Sequence, residues 1–470
     1  MSMAAREFDA VVVGAGVNGL TAAARLTRAG HRVLVVESAP NVGGSASTAE
    51  LLVPGVRHDL GAAVVPFAAA SPAFRELQLQ LPFRFGSVEF AHPFHDGHAA
   101  DVVRSIDATA VGFGRDGDAY RRLVGRFTAH FESLVADAMA PQLKVPAHPL
   151  VMARFGPMAL QSASHLGRRF ADPQGKALLA GLGAHATVAP DHLLTGGIAL
   201  MLLVAAHAVG WPVVEGGTQT VAEALADVVR TGGGEVRLQQ RVAALAELPQ
   251  SPIVMLDVTP GQFARLEPNA ASAFDRWKYG PGACKVDYVL SGPVPWTAEA
   301  CRNTATVHVG GTAAEIIDAE RDVSAGRHPA HPFVIVTQPA VVDPGRVSNG
   351  QVPLWAYCHV PNGSTIDASA TIESQIDRFA PGWRDLVVAK RVLTAQASET
   401  VNPNRVGGDL AGGLMSVMQV LLGPRPGRSP YRTNRRGVYL CSSSLPPGAG
   451  VHGMAGWHAA GVAMRDHAGR

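Results

Sequence analysis

Residues 8–38 read FDAVVVGAGVNGLTAAARLTRAGHRVLVVES, and this stretch decides the fold. Phe8 to Val13 is a short apolar run of the kind that parallel sheets bury on both faces. Gly14, Gly16 and Gly19 follow in G-x-G-x-x-G spacing. Leu20 to Ala29 is rich in Ala and Leu and has helical character, and Gly30 stops it. RVLVVE is a second strand that ends at Glu37. A strand, a glycine turn, a helix, a strand and an acid in that order form a dinucleotide-binding unit. Gly14 allows the tight turn, Gly16 lets backbone approach a pyrophosphate, and Gly19 lets helix and strand pack closely. The helix N-terminus, with Val17 and Asn18 in its first turn, turns its partial positive charge toward the phosphates.

Glu37, followed by Ser38, is placed to accept hydrogen bonds from the ribose hydroxyls of an adenosine. A carboxylate there repels a 2′-phosphate, which disfavours NADP. The continuation SAPNVGGSAST brings Gly43, Gly44 and Ser45 soon after the acid. A second close approach of backbone suits a ligand that extends past its pyrophosphate, and so favours FAD over NAD. No second G-x-G-x-x-G follows a strand, so no separate NAD(P)H domain is expected.

The bulk composition sets the limits. At 470 residues the chain is long enough for two or three domains and a large core. A net charge of +2 argues against a nucleic-acid binder that neutralises phosphates. Charged residues make up 17%, against about 25% in typical soluble domains, which fits a large interior or an apolar substrate cavity. Four cysteines, none in a C-x-x-C pair, suit a reducing, cytoplasmic setting and give no metal or dithiol motif. The N-terminus does not read as a signal peptide. The apolar run at 198–209, IALMLLVAAHAV, is short of the ~20 residues a membrane span needs and reads as a buried helix.

In the middle of the chain, Val221, Leu225, Val228 and Val229 share one face of an expected helix. Strands are expected near 236–242 and 253–258. ACKVDYVL should put Cys284, Val286, Tyr288 and Leu290 on one side of a strand, with Lys285 and Asp287 on the other. PFVIVTQPA and LWAYCHV also read as strands.

Together the N-terminal motif, the glycine pair, RHDLGA at 57–62, VEGGTQTVAEAL at 214–225 and GVYLCSSSLPPGAGVHGMAG at 437–456 resemble the phytoene desaturase-like flavoproteins. These belong to the wider amine-oxidase and glutathione-reductase-type superfamily. The resemblance implies an α/β fold. Residues 1–66, 211–264 and 431–470 would form a discontinuous FAD-binding domain, and 67–210 with 265–430 an inserted mixed α+β substrate domain. It further implies that Gly450, Val451, His452, Gly453 and Met454 present backbone N–H groups to the flavin, and that Val242 meets the adenine. Gly43, Gly44 and Ser45 would lie along the ribityl and phosphate region. Many relatives have Arg directly after the glycine pair, where this chain has Ser45.

In amine oxidases a strand lysine in a G…K…P-x-W context holds a water against flavin N5. Lys285, followed by Pro295 and Trp296, resembles that pattern. A surface lysine paired with Asp287 is the alternative. The implied activity is a dehydrogenase, desaturase or oxidase that takes a hydride from an apolar, isoprenoid-like substrate and passes electrons to oxygen or a quinone. A redox-neutral double-bond isomerase and a non-catalytic prenyl-binding escort are the other readings.

Other candidates carry less. AHPFHDGH at 91–98 reads as a solvated loop rather than a metal site, despite His92, His95, Asp96 and His98. His185 and His207 read as core histidines. Ser442 to Ser444 lack a nucleophile elbow. Arg425, Arg428, Arg432, Arg435 and Arg436 read as a basic loop, with peripheral membrane contact as the alternative.

Overall fold

A computed structural model of the chain describes residues 7–141, 144–269, 274–425 and 429–468. Two sheets organise it. The first has five strands, all parallel, in the order Val438–Leu440, Ile253–Leu256, Ala10–Val13, Val33–Val36, Glu235–Arg237. Ala10–Val13 sits at its centre with all four residues buried, as a strand covered on both faces must be. Helix Val17–Arg28 leaves that strand through the glycine turn. The sheet is therefore built from the beginning, the middle and the far end of the chain.

Helix Met454–His467 lies directly on helix Val17–Arg28, and small residues make this possible. A Cβ on Gly456 would overlap the carbonyl oxygen of Asn18 and come within 2.7 Å of its carbon. Gly453 adopts a left-handed φ of +67°, and a Cβ there would overlap the Thr21 side chain. The glycines of the C-terminal turn thus meet a packing demand, whatever else they serve.

The second sheet has seven strands in the order Val387–Leu393, Gly282–Leu290, Val352–Val360, Val334–Thr337, Thr306–Val309, Phe90–Pro93, Ala99–Val102. Neighbours run antiparallel except Thr306–Val309 beside Phe90–Pro93. Cys284, Val286, Tyr288 and Leu290 share one face, in a core with Ile372, Ile376 and Trp383. Lys285 and Asp287 are on the other face, as the alternation requires, but both are buried.

A buried ionic hub joins the two parts. Arg346 pairs with Asp59 and, at 2.9 Å, with Asp343, and its Nη2 donates to the Val214 carbonyl at 2.9 Å. Asp59 also accepts from the Thr218 backbone at 2.9 Å, and Asp343 from the Gly216 backbone at 2.8 Å. RHDLGA and VEGGTQ are thereby tied to one guanidinium.

Several local expectations need correction. His92 is not in a loop: it is buried in strand Phe90–Pro93, with Nε2 2.6 Å from the Gly311 carbonyl. Pro93 and the neighbouring histidines hide a hairpin whose turn carries His95 and His98. Lys285 is not on a surface. The strand expected over 236–242 is only Glu235–Arg237, because Gln239 takes a positive φ and ends it. His207 is a satisfied core histidine, 2.7 Å from the Tyr120 hydroxyl, on buried helix Thr195–Ala208. No helix among the described residues is long and apolar enough to cross a membrane, and none of their side chains group as a metal site. Arg428 lies outside the described residues. Arg432, Arg435 and Arg436 border a hollow of about 230 Å³ at the N-terminal end of strand Val438–Leu440, away from the glycine turn.

Candidate active site at the carboxyl ends of the parallel strands

The parallel strands end on one rim at Val13, Val36, Leu256 and Leu440. Ligands of open α/β sheets bind outside such a rim. Gly14 turns there with φ +94°. Gly16 pairs with Gly43 as an isolated bridge, and Gly43 N donates to the Ala15 carbonyl at 2.8 Å. The two glycine segments therefore run side by side. Glu37 Oε2 accepts from Ala15 N at 2.7 Å, and Oε1 from Ala39 N at 2.8 Å and Ser38 Oγ at 3.1 Å. This fixes the acid against the turn. Val17 and Asn18 stand in the first helical turn, where backbone N–H groups lack intrahelical acceptors. Ser45 continues the second glycine segment. Its hydroxyl accepts from Arg405 Nη2 at 3.0 Å.

The C-terminal turn closes over the same helix. Gly450 has φ +148° and is exposed, Val451 is half-buried, and His452, Gly453 and Met454 are buried. His452 Nδ1 accepts from Met454 N at 3.1 Å, which caps the helix from within, and its carbonyl accepts from Ser71 Oγ at 2.7 Å. Burial lowers the His452 pKa to about 4, so the ring is neutral and can accept. Val242 lies just past strand Glu235–Arg237, half-buried against the core of the first sheet.

Sequence reasoning missed Asp257. It follows strand Ile253–Leu256, and its Oδ2 accepts from Gly19 N at 3.0 Å. A Cβ on Gly16 would overlap that same oxygen, and one on Gly19 would come within 2.9 Å of the Asp257 Cβ. A half-buried carboxyl thus fills the space beside two glycines of the motif. Burial, with help from Glu37, raises its pKa to about 7, against the hydrogen bonds from Gly19 and Gly16. An acid after a buried strand carries no sequence signal that its partner lies 238 positions earlier.

Facing the rim is the polar side of the seven-stranded sheet. Its register aligns Lys285, Tyr357, Ile335 and His308 across four strands. The neighbouring row is Asp287, Trp355, Thr337 and Thr306. Lys285 Nζ pairs with Asp287, donates to the Asp59 carbonyl at 3.1 Å and stands 5.1 Å from the Trp355 ring centre. Burial pushes the lysine pKa down, and Asp287 opposes the shift. His185 Nε2 meets His308 Nε2 at 3.0 Å, and His359 Nδ1 pairs with Glu320 at 2.9 Å. Trp355 Nε1, His359 Nε2, His308 Nδ1 and His92 Nδ1 are buried with no hydrogen-bond partner, His92 lying against Gly181 of helix Pro173–Ala184 and His359 against Glu320 of helix Ala313–Ser324.

A family model described as an NAD(P)-binding Rossmann-like domain matches residues 12–78. The pyridine nucleotide-disulfide oxidoreductase domain-containing protein 2 of Rattus norvegicus is 24% identical, over 98% of this chain and 94% of its own. The neurosporene-forming phytoene desaturase of Rhodobacter capsulatus is 24% identical, over 95% and 92%. Among solved structures, an oxidoreductase from Methanosarcina mazei aligns with TM-score 0.63 at 16% identity, over 97% of this chain and 99% of its own. Wild-type putrescine oxidase bound to putrescine aligns with TM-score 0.58 at 18% identity, over 98% and 99%.

The chain is an FAD-dependent oxidoreductase, similar in sequence to the phytoene desaturase and in fold to the amine oxidase. It has the corresponding α/β architecture, a Rossmann-like sheet joined to a second, mixed sheet. The rim suits the cofactor: side-by-side glycine segments, a fixed acid and a helix N-terminus form a cradle for an extended dinucleotide. Asp257 sets one condition. An ionised carboxylate beside a pyrophosphate is unfavourable, so binding favours the protonated form.

The sign of the pH effect follows. The folded pKa of about 7 lies above the ordinary aspartate value of 3.8, so ionised Asp257 destabilises the apoprotein. That cost is absent below pH 4, grows as pH rises, and is complete above about pH 7. Asp257→Asn should raise the apoprotein melting temperature at pH 8 and leave it nearly unchanged at pH 4.5. Wild-type FAD affinity should fall above pH 7 by up to about tenfold per pH unit, and the variant's should stay flat. Fluorescence titration of FAD at pH 6, 7 and 8.5 measures this. Parallel profiles for the two proteins would remove Asp257 from the linkage.

Proposed function

We propose that the space between the glycine rim and the polar sheet face is where substrate is oxidised. The observation that carries this is the hydrogen bond from Lys285 Nζ to the Asp59 carbonyl, which brings the strand lysine to the RHDLGA segment beside the cradle. FAD, when bound, supplies the hydride acceptor at flavin N5. The chain would do the rest. Glu37 would hold the adenosine ribose, and the first turn of helix Val17–Arg28 the pyrophosphate. The start of helix Met454–His467 would face the far end of the cofactor. Lys285, held by Asp287, would position a water or take the substrate proton at Nζ. Molecular oxygen or a quinone is the proposed electron acceptor.

Two classes of substrate compete for this space. The family resemblance and the low charge content favour an apolar, isoprenoid- or polyene-like substrate. Trp355 Nε1, buried without a hydrogen-bond partner on the ring beside Lys285 Nζ, suits instead a substrate with a hydrogen-bonding group. A buried polar atom left unsatisfied costs about 1–3 kcal/mol, so a ligand group that bonds it is favoured. We therefore place a small substrate with hydrogen-bonding groups, such as an amine, ahead of a polyene.

Anaerobic mixing with candidate substrates tests the proposal through loss of flavin absorbance. Bleaching by an amine and not by a polyene is expected. Product without bleaching would mean isomerisation, and a protein that takes up no FAD would favour the escort reading. Lys285→Met should slow flavin reduction or reoxidation roughly a hundredfold, the low end of what a positioned acid–base group contributes. Unchanged rates in both half-reactions would leave Lys285 a structural residue.

A further inference from the structure

We infer that Arg405 is an anion-binding residue of the cofactor cradle, its guanidinium taking phosphate oxygens of FAD beside Ser45. This rests on the reading of the glycine rim as the FAD site. Arg405 is buried, with 7% of its surface exposed. Nε and Nη2 donate to Ser45 Oγ at 3.3 and 3.0 Å, and Nη1 donates to Ser398 Oγ at 3.3 Å. Both acceptors are neutral hydroxyls. No carboxylate among the described residues pairs with Arg405. A guanidinium has five N–H donors and stays protonated, so a buried one calls for an anion.

The charges of the hub and of the strand lysine are already matched. Lys285 is paired with Asp287, and Asp59 and Asp343 share Arg346. Arg405 is left over. Burial acts on it as on any unpaired cation, lowering its pKa. The loop that carries it is anchored near the rim: Asn404 Oδ1 accepts from Thr259 N at 2.9 Å, two residues past Asp257.

Its position indicates which anion it serves. Ser45 directly follows Gly44, and Gly43 pairs with Gly16 in the turn that would receive the pyrophosphate. A Cβ on Gly61 would lie 3.0 Å from Arg405 Nη2, so the absent side chain gives the guanidinium its room. The planar fork of arginine matches two phosphate oxygens at once. A substrate carboxylate is the competing occupant.

The test titrates FAD and riboflavin, which lacks phosphate, into wild type, Arg405→Met and Arg405→Lys by flavin fluorescence, and melts each apoprotein. The expected result is at least a tenfold rise in the FAD Kd of Arg405→Met, partial recovery in Arg405→Lys, and riboflavin binding unchanged. The Arg405→Met apoprotein should melt no lower than wild type, because an unpaired buried charge has gone. A merely structural arginine would give a lower melting point and equal losses for both flavins, which overturns the inference. So does an FAD Kd within twofold of wild type, the result expected if Arg405 serves a substrate carboxylate. Wild-type protein that binds FAD nowhere would instead end the reading of the rim.

Discussion

Gly456→Val should unseat the C-terminal helix and leave the protein without FAD. The added Cβ overlaps the Asn18 carbonyl oxygen, and it falls 2.7 Å from the Asn18 carbon and 3.1 Å from Ala22 N. All three are backbone atoms of a regular helix, so no flexible side chain can swing away. The helices must part, and the alanines buried between them lose contact. Overpacking of a rigid site costs typically 1–3 kcal/mol and occasionally more, and this position belongs at about 3 kcal/mol or above. The helix that moves, Val17–Arg28, begins in the glycine turn, so cofactor retention should fail together with stability. A melting curve and the flavin absorbance of purified protein measure both. Gly461→Ala is the control, since its Cβ would meet only the movable Arg25 guanidinium at 2.8 Å. A yellow Gly456→Val protein with a wild-type melting point would refute the packing account.

The second large effect is expected at the ionic hub. Arg346 has no exposed surface, and two carboxylates depend on it. Arg346→Met leaves Asp59 and Asp343 together in a dry site. Breaking a buried ion network by removing one partner costs about 3–5 kcal/mol, most of it from the charges left behind. Thermal melting of the variant beside wild type measures it. Lys285 donates to the Asp59 carbonyl, so the loss should also reach the flavin half-reactions. A melting point equal to wild type would refute the hub's role.

Both effects rest on contacts far apart in sequence, and this separates what was legible from what was not. The glycine turn could be read because its strand, turn, helix and acid are contiguous. So could the faces of strand Gly282–Leu290, because alternation is local. Asp257, Arg346 and Arg405 could not. Each acts through a partner brought close only by the folded sheets, and each sits in a turn or loop without periodicity. The His92 strand was missed for a different reason. Four buried residues interrupted by a histidine and ended by a proline look like a loop until strand Thr306–Val309 supplies their neighbour. The polar face was half legible: Lys285 and Asp287 alternate out of the core, but their burial depends on the segment at 57–62 lying over them.

The parallel sheet takes its outermost strand from Val438–Leu440, and its first helix is covered by Met454–His467. A chain emerging from the ribosome therefore holds its glycine turn for hundreds of residues before the element that completes it has been made. Capture of the cofactor becomes a late event in biogenesis, a final seal rather than a nucleus. Until then the alanine-rich flank of helix Val17–Arg28 stays uncovered, and the nascent protein depends on whatever shields that flank.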